Sequence, residues 1–199
     1  LELGASRARG QIPASVSLLF LGWLEESKGV FDLLDAARML REQGISFHLT
    51  LGGNGNALPA AKRFAQQNGL ASHVTFAGWV DEEAKSALLG SCDMFVLPSW
   101  SEGLPNAMIE AMSAGVACVV TSVGTIGDYV THGCEALMVE PRNRAQLAES
   151  IKTLILNHSL RDTLGQNGHR LALTQFSLEQ GARRMSEAVL QLMPLRPAG

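Results

Sequence analysis

The chain has 199 residues, 46% hydrophobic and 18% charged, which is the balance of a globular chain long enough to bury a sizeable core. Its formal net charge of −3, with acids and bases interspersed, excludes a basic nucleic-acid footprint. No apolar run approaches membrane-spanning length, no signal-peptide pattern is present, and the three cysteines, Cys92, Cys118 and Cys134, are odd in number and scattered; Cys92 and Cys118 read as small core residues, which favours a reducing compartment over a disulfide framework.

Residues 1–15 lack periodicity and read as a linker or tag-like tail, and the start without Met leads to the expectation of a piece cut from a longer protein. Val16 to Trp23, an apolar run turning at Gly22, predicts a buried strand. After a polar EESKG turn, Val30, Leu33, Leu34, Ala37 and Leu40 recur at helical spacing up to Gly44. His48 to Leu51 is the next strand, closed by GGNG (Gly52 to Gly55). A helix follows from Ala57 to Asn68, with Gly69 as its C-terminal cap. Val74 to Ala77 is a short strand ahead of Gly78-Trp79-Val80. Asp81 then caps a helix running through Leu89.

Met94 to Leu97 is a further buried strand, and it opens onto PSWSEGLPNAMIEAMSAG, Pro98 to Gly115. Here Gly103, Leu104 and Pro105 predict a helix start, with Pro105 in the first turn, where a missing N–H costs nothing. Ala107, Met108, Ala111 and Met112 share one apolar face, Glu110 lies off it, and Glu102 sits in the preceding loop. Ala117 to Thr121 is a strand. Val123 to Val130 is a loop with a short helical turn, and Ala136 to Val139 a strand ended by Pro141. Arg144 to Leu156 and Leu160 to Leu173 are helical, and Ser177 with Gln180 forms a capping box for a last helix to about Leu192.

This alternation predicts an α/β fold: a Rossmann-like, doubly wound parallel sheet of about six strands, with ligand loops at their carboxyl ends. The Gly-rich and polar stretches at 22–29, 52–55, 78–80, 98–103 and 123–127 all follow strands, so they gather on one edge as a cleft. A helix N-terminus there carries unpaired N–H groups and a positive dipole end, which suits a phosphate. Glu110 lies about 12 Å along the chain from Glu102 at the helical rise. That reach suits a ligand with hydroxyls at both ends and anionic charge between them. Two isolated glutamates would read as solvated helix charges, so the surrounding residues have to decide.

Those residues run S-E-G-L-P-N-A-x-x-E-A-M-x-x-G from Ser101 to Gly115. The pattern resembles the signature of the GT4-type, or group 1, retaining glycosyltransferases, which have the GT-B fold. Glu102, Gly103, Pro105, Glu110, Ala111, Met112 and Gly115 fall in register. The resemblance implies that Glu102 holds donor-sugar hydroxyls and Glu110 the ribose. G-W-L-E-E-S-K-G, Gly22 to Gly29, is similar to the family's G-R-L-x-x-x-K-G, whose lysine binds the donor diphosphate and stabilises the departing phosphate. Lys28 and Glu102 are thereby catalytic candidates. Gly22, Gly53, Val80, Gly103, Leu104, Pro105 and Glu110 are donor-binding candidates.

The family's arginine position holds Trp23, which offers one neutral donor and no charge. Lys62, Lys85 or the helix N-terminus are the candidates to take up the missing charge. For Trp23 and Trp79, packing against the core competes with a ligand contact. Thr125 and Asp128 replace the Gly and Glu of a family loop, so no role is assigned there. The five histidines show no metal-ligand spacing.

Residues 16–176 are therefore expected to form the nucleotide-diphosphate-sugar binding domain of a glycosyltransferase, with the nucleotide sugar as donor substrate, no cofactor and no required metal. Residues 177–199 are expected to pack on an N-terminal acceptor-binding domain missing from this chain; the chain alone is expected to bind nucleotide weakly and to turn over little or nothing. The resemblance implies bacterial surface polysaccharide synthesis in the cytoplasm, with no nucleic-acid partner and membrane contact only through the missing half. A nucleotide-sugar epimerase of the same fold and a non-catalytic binding module, the latter favoured by Trp23, are the alternatives. A dehydrogenase is disfavoured, because the G-x-G-x-x-G fingerprint is lacking.

Overall fold

The computed structural model describes residues 15–176. Six strands, β1 (Val16–Leu21), β2 (Phe47–Gly52), β3 (Val74–Gly78), β4 (Met94–Leu97), β5 (Ala117–Thr121) and β6 (Ala136–Val139), form one sheet in the order β3-β2-β1-β4-β5-β6. Every pairing is parallel. The helices are α1 (Val30–Glu42), α2 (Leu58–Gln67), α3 (Glu82–Ser91), α4 (Asn106–Ser113), α5 (Ile126–Tyr129), α6 (Arg144–Leu156) and α7 (His158–Gln175).

From β1 the chain steps outward to β2 and β3; α3 then carries it back across the sheet to β4 on the other side of β1. With right-handed crossovers, the two directions of travel place their helices on opposite faces. Within these layers α1 packs on α2 and α6, and α4 packs on α7. The predicted doubly wound sheet is thus the observed one.

Helices on both faces explain why the central strands are unbroken apolar runs. Leu18–Leu21 of β1 and Met94–Leu97 of β4 are all buried, with Phe20 and Phe95 among the largest fully enclosed side chains. The edge strand β3 instead alternates, with Val74 buried, Phe76 and Gly78 half-buried, and Thr75 and Ala77 exposed. Val30, Leu33, Leu34, Ala37 and Leu40 of α1 point into this core, as their spacing predicts. Cys92 and Cys118 are buried within it, and burial pushes the Cys118 thiol far above its ordinary range; Cys134 is exposed.

Caps account for where helices begin. The Asp81 side chain accepts from the Ala84 N–H at 2.9 Å and starts α3 as expected. Asn157 closes α6, and its side chain accepts from the Leu160 N–H at 3.0 Å. A single residue thus ends one helix and opens the next, so α7 begins at His158, earlier than the predicted Leu160. The α4 start is corrected the other way. Pro105 has ψ of 114°, an extended value, and serves as the N-cap, so the helix begins at Asn106 and Gly103–Pro105 form no first turn. The Ser177–Gln180 capping box, the helix predicted to Leu192 and nearly all of the predicted 1–15 tail lie outside the described residues.

Candidate functional site

β1 and β4 are neighbours from which the chain departs in opposite directions. Such a switch point leaves a crevice beyond the carboxyl ends of the two strands. The loop after β1 runs through Gly22 and Trp23 into a 3-10 turn, Glu26–Lys28, closed by Gly29 at φ 70°. The loop after β4 runs from Pro98 to Pro105. The two are joined by the Trp100 N–H, which donates to the Ser27 carbonyl at 2.8 Å. In the crevice Lys28 Nζ donates to Glu102 Oε1 at 2.8 Å, across 74 positions of sequence. Both side chains are largely enclosed, 26% and 11% exposed, so the pair is a charge-assisted bond with little water around it.

Glu110 lies one turn into α4, and its partner comes from α3. Lys85 Nζ donates to Glu110 Oε1 at 2.8 Å and to Glu82 Oε1 at 2.9 Å. These carboxylates, Glu110 foremost, raise the Lys85 pKa above its ordinary value and keep the ammonium charged. Each of the two sequence-predicted acids thus meets a lysine.

The neighbouring loops are stitched together by backbone. The Gly22 N–H donates to the Gly52 carbonyl at 3.0 Å, and the Gly53 N–H to the Gly78 carbonyl at 2.7 Å. Gly53 holds φ at 133°, and a Cβ there would lie 1.9 Å from the Gly22 oxygen, so no other residue fits. Val80 is half-buried against the core. Leu104 is likewise half-buried and Pro105 is buried. The Gly103 carbonyl accepts from the Thr125 N–H at 3.2 Å and from its hydroxyl at 3.1 Å. With Pro105 as N-cap, the helical amides of α4 begin at Asn106, and the Gly103 and Leu104 N–H groups belong to the loop just before it. Among the described residues no group of three or more His, Cys, Asp or Glu is arranged to hold a metal ion.

The family description "Glycosyl transferases group 1" matches residues 7–171. This chain belongs to the group 1 glycosyltransferases. It is 33% identical to an uncharacterized glycosyltransferase of Methanocaldococcus jannaschii, over 85% of this chain and 47% of that protein. It is 29% identical to the lipopolysaccharide core biosynthesis glycosyltransferase LpsE of Rhizobium meliloti, over 98% of this chain and 55% of that protein. The chain thus spans about half the length of these curated relatives. Among solved structures, sucrose-phosphate synthase of Thermosynechococcus elongatus superposes with a TM-score of 0.80 at 25% identity, over 90% of this chain and 46% of that one. HepE of Anabaena in complex with UDP and glucose superposes at 0.81 with 21% identity, over 91% of this chain and 50% of that one. The fold is that of the C-terminal half of a GT-B glycosyltransferase.

Against the group 1 pattern, the structure decides two expectations and adds one feature. Trp23 and Trp79 do not pack into the core: they are 55% and 70% exposed. β1 ends at Leu21, Gly22 turns the chain outward, and the two rings lean on each other with centroids 6.3 Å apart. Lys62 meets no site acid; its Nζ lies over the Phe76 ring, 5.9 Å from the centroid. A third feature was not anticipated at all. Asp32 on α1, 2% exposed, accepts from Trp100 Nε1 and from Arg144 Nε, both at 2.7 Å. The Arg142 guanidinium lies 4.1 Å over the Trp100 ring. In the sequence, an acid amid the buried positions of an amphipathic helix is the sole trace of this cluster.

Proposed function

We propose that this group 1 domain binds the nucleotide-diphosphate sugar of a retaining glycosyltransferase. The observation that carries the reading is the Lys28–Glu102 bond at the switch point, formed by two residues that share no local sequence context. In the free domain these groups neutralise each other. A donor would exchange that bond for two: Lys28 to a phosphate oxygen and Glu102 to a sugar hydroxyl. The Asn106 and Ala107 amides at the start of α4 add positive potential beside the diphosphate. When the anomeric carbon–oxygen bond breaks, its electron pair leaves with the nucleoside diphosphate. A fixed cation and fixed dipoles stabilise that developing charge without reorganising. Glu110 accepts from the ribose hydroxyls, and Gly22, Gly53 and Val80 line the nucleoside end.

The acceptor, and the residues that bind it, belong to the half of the enzyme not represented here, so transfer is assigned to the whole enzyme. Its setting is assigned to surface polysaccharide synthesis, which the lipopolysaccharide core role of LpsE supports, and to the cytoplasmic side of the membrane. The named relatives are transferases, which favours transfer over epimerisation or binding alone.

Titration calorimetry with UDP, GDP and ADP on the wild type and Glu110→Ala tests the assignment; UDP comes first because HepE was solved with it. One nucleotide is expected to bind, and loss of a hydrogen bond to a charged group lowers its affinity roughly 10–150-fold. Adding EDTA leaves the wild-type affinity unchanged. Absence of binding by all three, or equal binding by the variant, removes the ribose assignment.

A further inference from the structure

The site inherits a shortage of positive charge, because Trp23 stands where the family pattern has arginine. Two lysines were candidates to replace it, and the structure separates them. Lys62 is engaged with the Phe76 ring, whereas Lys85 sits on a site acid. The geometry around Lys85 is specific. It reaches from α3 to α4, bridging elements 25 positions apart, and its side chain is 20% exposed. Its second partner, Glu82, is 90% exposed and one turn back on its own helix, a weak surface pairing. Two of the three ammonium donors are used, and the third is open. Glu110 gives its Oε1 to Lys85; its Oε2 has no protein partner among the described residues.

We infer that Lys85 is the second cation of the nucleotide site: it cancels the Glu110 charge beside the donor diphosphate and holds that carboxylate with one oxygen free for the ribose. The inference rests on the reading of Glu110 as the ribose acid. Its physical reason is simple. A carboxylate that grips a ribose lies next to the α-phosphate of the same nucleotide. Left alone, it would repel the group that Lys28 and α4 attract. Paired with Lys85, the acid still accepts hydrogen bonds but adds no net negative charge. Lys85 thus serves the diphosphate more than the nucleoside, and this difference is measurable.

The test is calorimetry on this chain with matched pairs, uridine and UDP, guanosine and GDP, adenosine and ADP. The variants are Lys85→Met, Lys85→Arg and Glu110→Ala, with unfolding midpoints to confirm that each folds. Lys85→Met is expected to lower diphosphate affinity about tenfold or more, and nucleoside affinity by less than about threefold. The salt dependence of diphosphate binding flattens in this variant, and Lys85→Arg restores most of the affinity. An equal loss for nucleoside and diphosphate would show Lys85 to be a prop for Glu110 alone, and no loss would show it to be idle; either result overturns the inference. If Glu110→Ala leaves nucleoside affinity unchanged, the ribose reading itself fails and takes the inference with it. That outcome is distinct from a failure of Lys85 while Glu110 proves essential.

Discussion

A Cβ on Gly29 would lie 2.0 Å from the Pro98 carbonyl oxygen, and the residue already holds φ at 70°. The contact is backbone against backbone, so no side chain can yield. Gly29 is therefore what lets the loop after β1 approach the loop after β4 closely enough for Lys28 to meet Glu102. Left-handed backbone costs a non-glycine residue about 1–2 kcal/mol, and the clash adds to that. Gly29→Ala is expected to lower the unfolding free energy in urea by at least about 2 kcal/mol and to weaken nucleotide binding beyond the change in folded fraction. Full-strength binding by the folded variant would show that the loops' approach is irrelevant to the site. Earlier in the same loop, at Trp23, the expected direction is reversed. Trp23 is exposed beside the crevice, so Trp23→Arg restores a bidentate phosphate donor and should tighten binding of the diphosphate but not of the nucleoside.

Three elements meet at Asp32. The carboxylate ties α1 to the loop after β4 through Trp100 and to the start of α6 through Arg144. Trp100 also holds Ser27, the residue before Lys28, by its backbone N–H. The cluster therefore sets the angle at which both catalytic candidates leave the sheet. A carboxylate 2% exposed depends on its donors. Arg144→Met leaves it one side-chain N–H among the described residues; with Arg144 itself 50% exposed, the cost falls below the roughly 3 kcal/mol of a fully buried pair. Trp100→Phe removes the other donor, for roughly 1.5–3 kcal/mol. The two losses should be non-additive in a double-mutant cycle followed by urea unfolding, since both act on one carboxylate. Simple additivity would mean that the three residues do not work as a unit.

The partners of Asp32 were not legible in the sequence, because Trp100 lies 68 positions away and Arg144 112. What was legible is local. Runs such as Leu18–Leu21 and Met94–Leu97 announce strands covered on both faces, and the apolar spacing of α1 announces its inner face. Helix ends were legible only in part where a side chain caps, at Asp81 but not at Asn157. They were not where a tertiary contact decides, as where Thr125 holds the Gly103 carbonyl and keeps the chain before α4 extended. Lys28, Glu102 and Glu110 stood out through their motifs. Which lysine each acid meets depends on strand order and on how α3 lies against α4, and neither is written in local pattern.

At the scale of the molecule, the candidate site draws on both halves of the sheet. Lys28 follows β1, Lys85 sits on the crossover from β3 to β4, and Glu102 and Glu110 follow β4. A nucleotide touching all of them bridges the two windings and binds the folded state alone. Native-state binding at 100 times Kd adds about 2.7 kcal/mol of stability. For a domain of this size that corresponds to a rise in Tm of roughly 5–11 °C. The chain carries its own reporters: Trp23, Trp79 and Trp100, its three tryptophans, all lie in loops at the carboxyl edge, whereas far-UV circular dichroism reports the sheet and helices. With nucleotide bound, the fluorescence and dichroism transitions should move upward together, because one continuous core underlies both windings. Glu110→Ala at the same nucleotide concentration should show a shift smaller by at least half. A fluorescence transition that rises while the dichroism transition stays put would mean that the ligand orders the edge loops without engaging the fold beneath them, and the bridging site would be wrong.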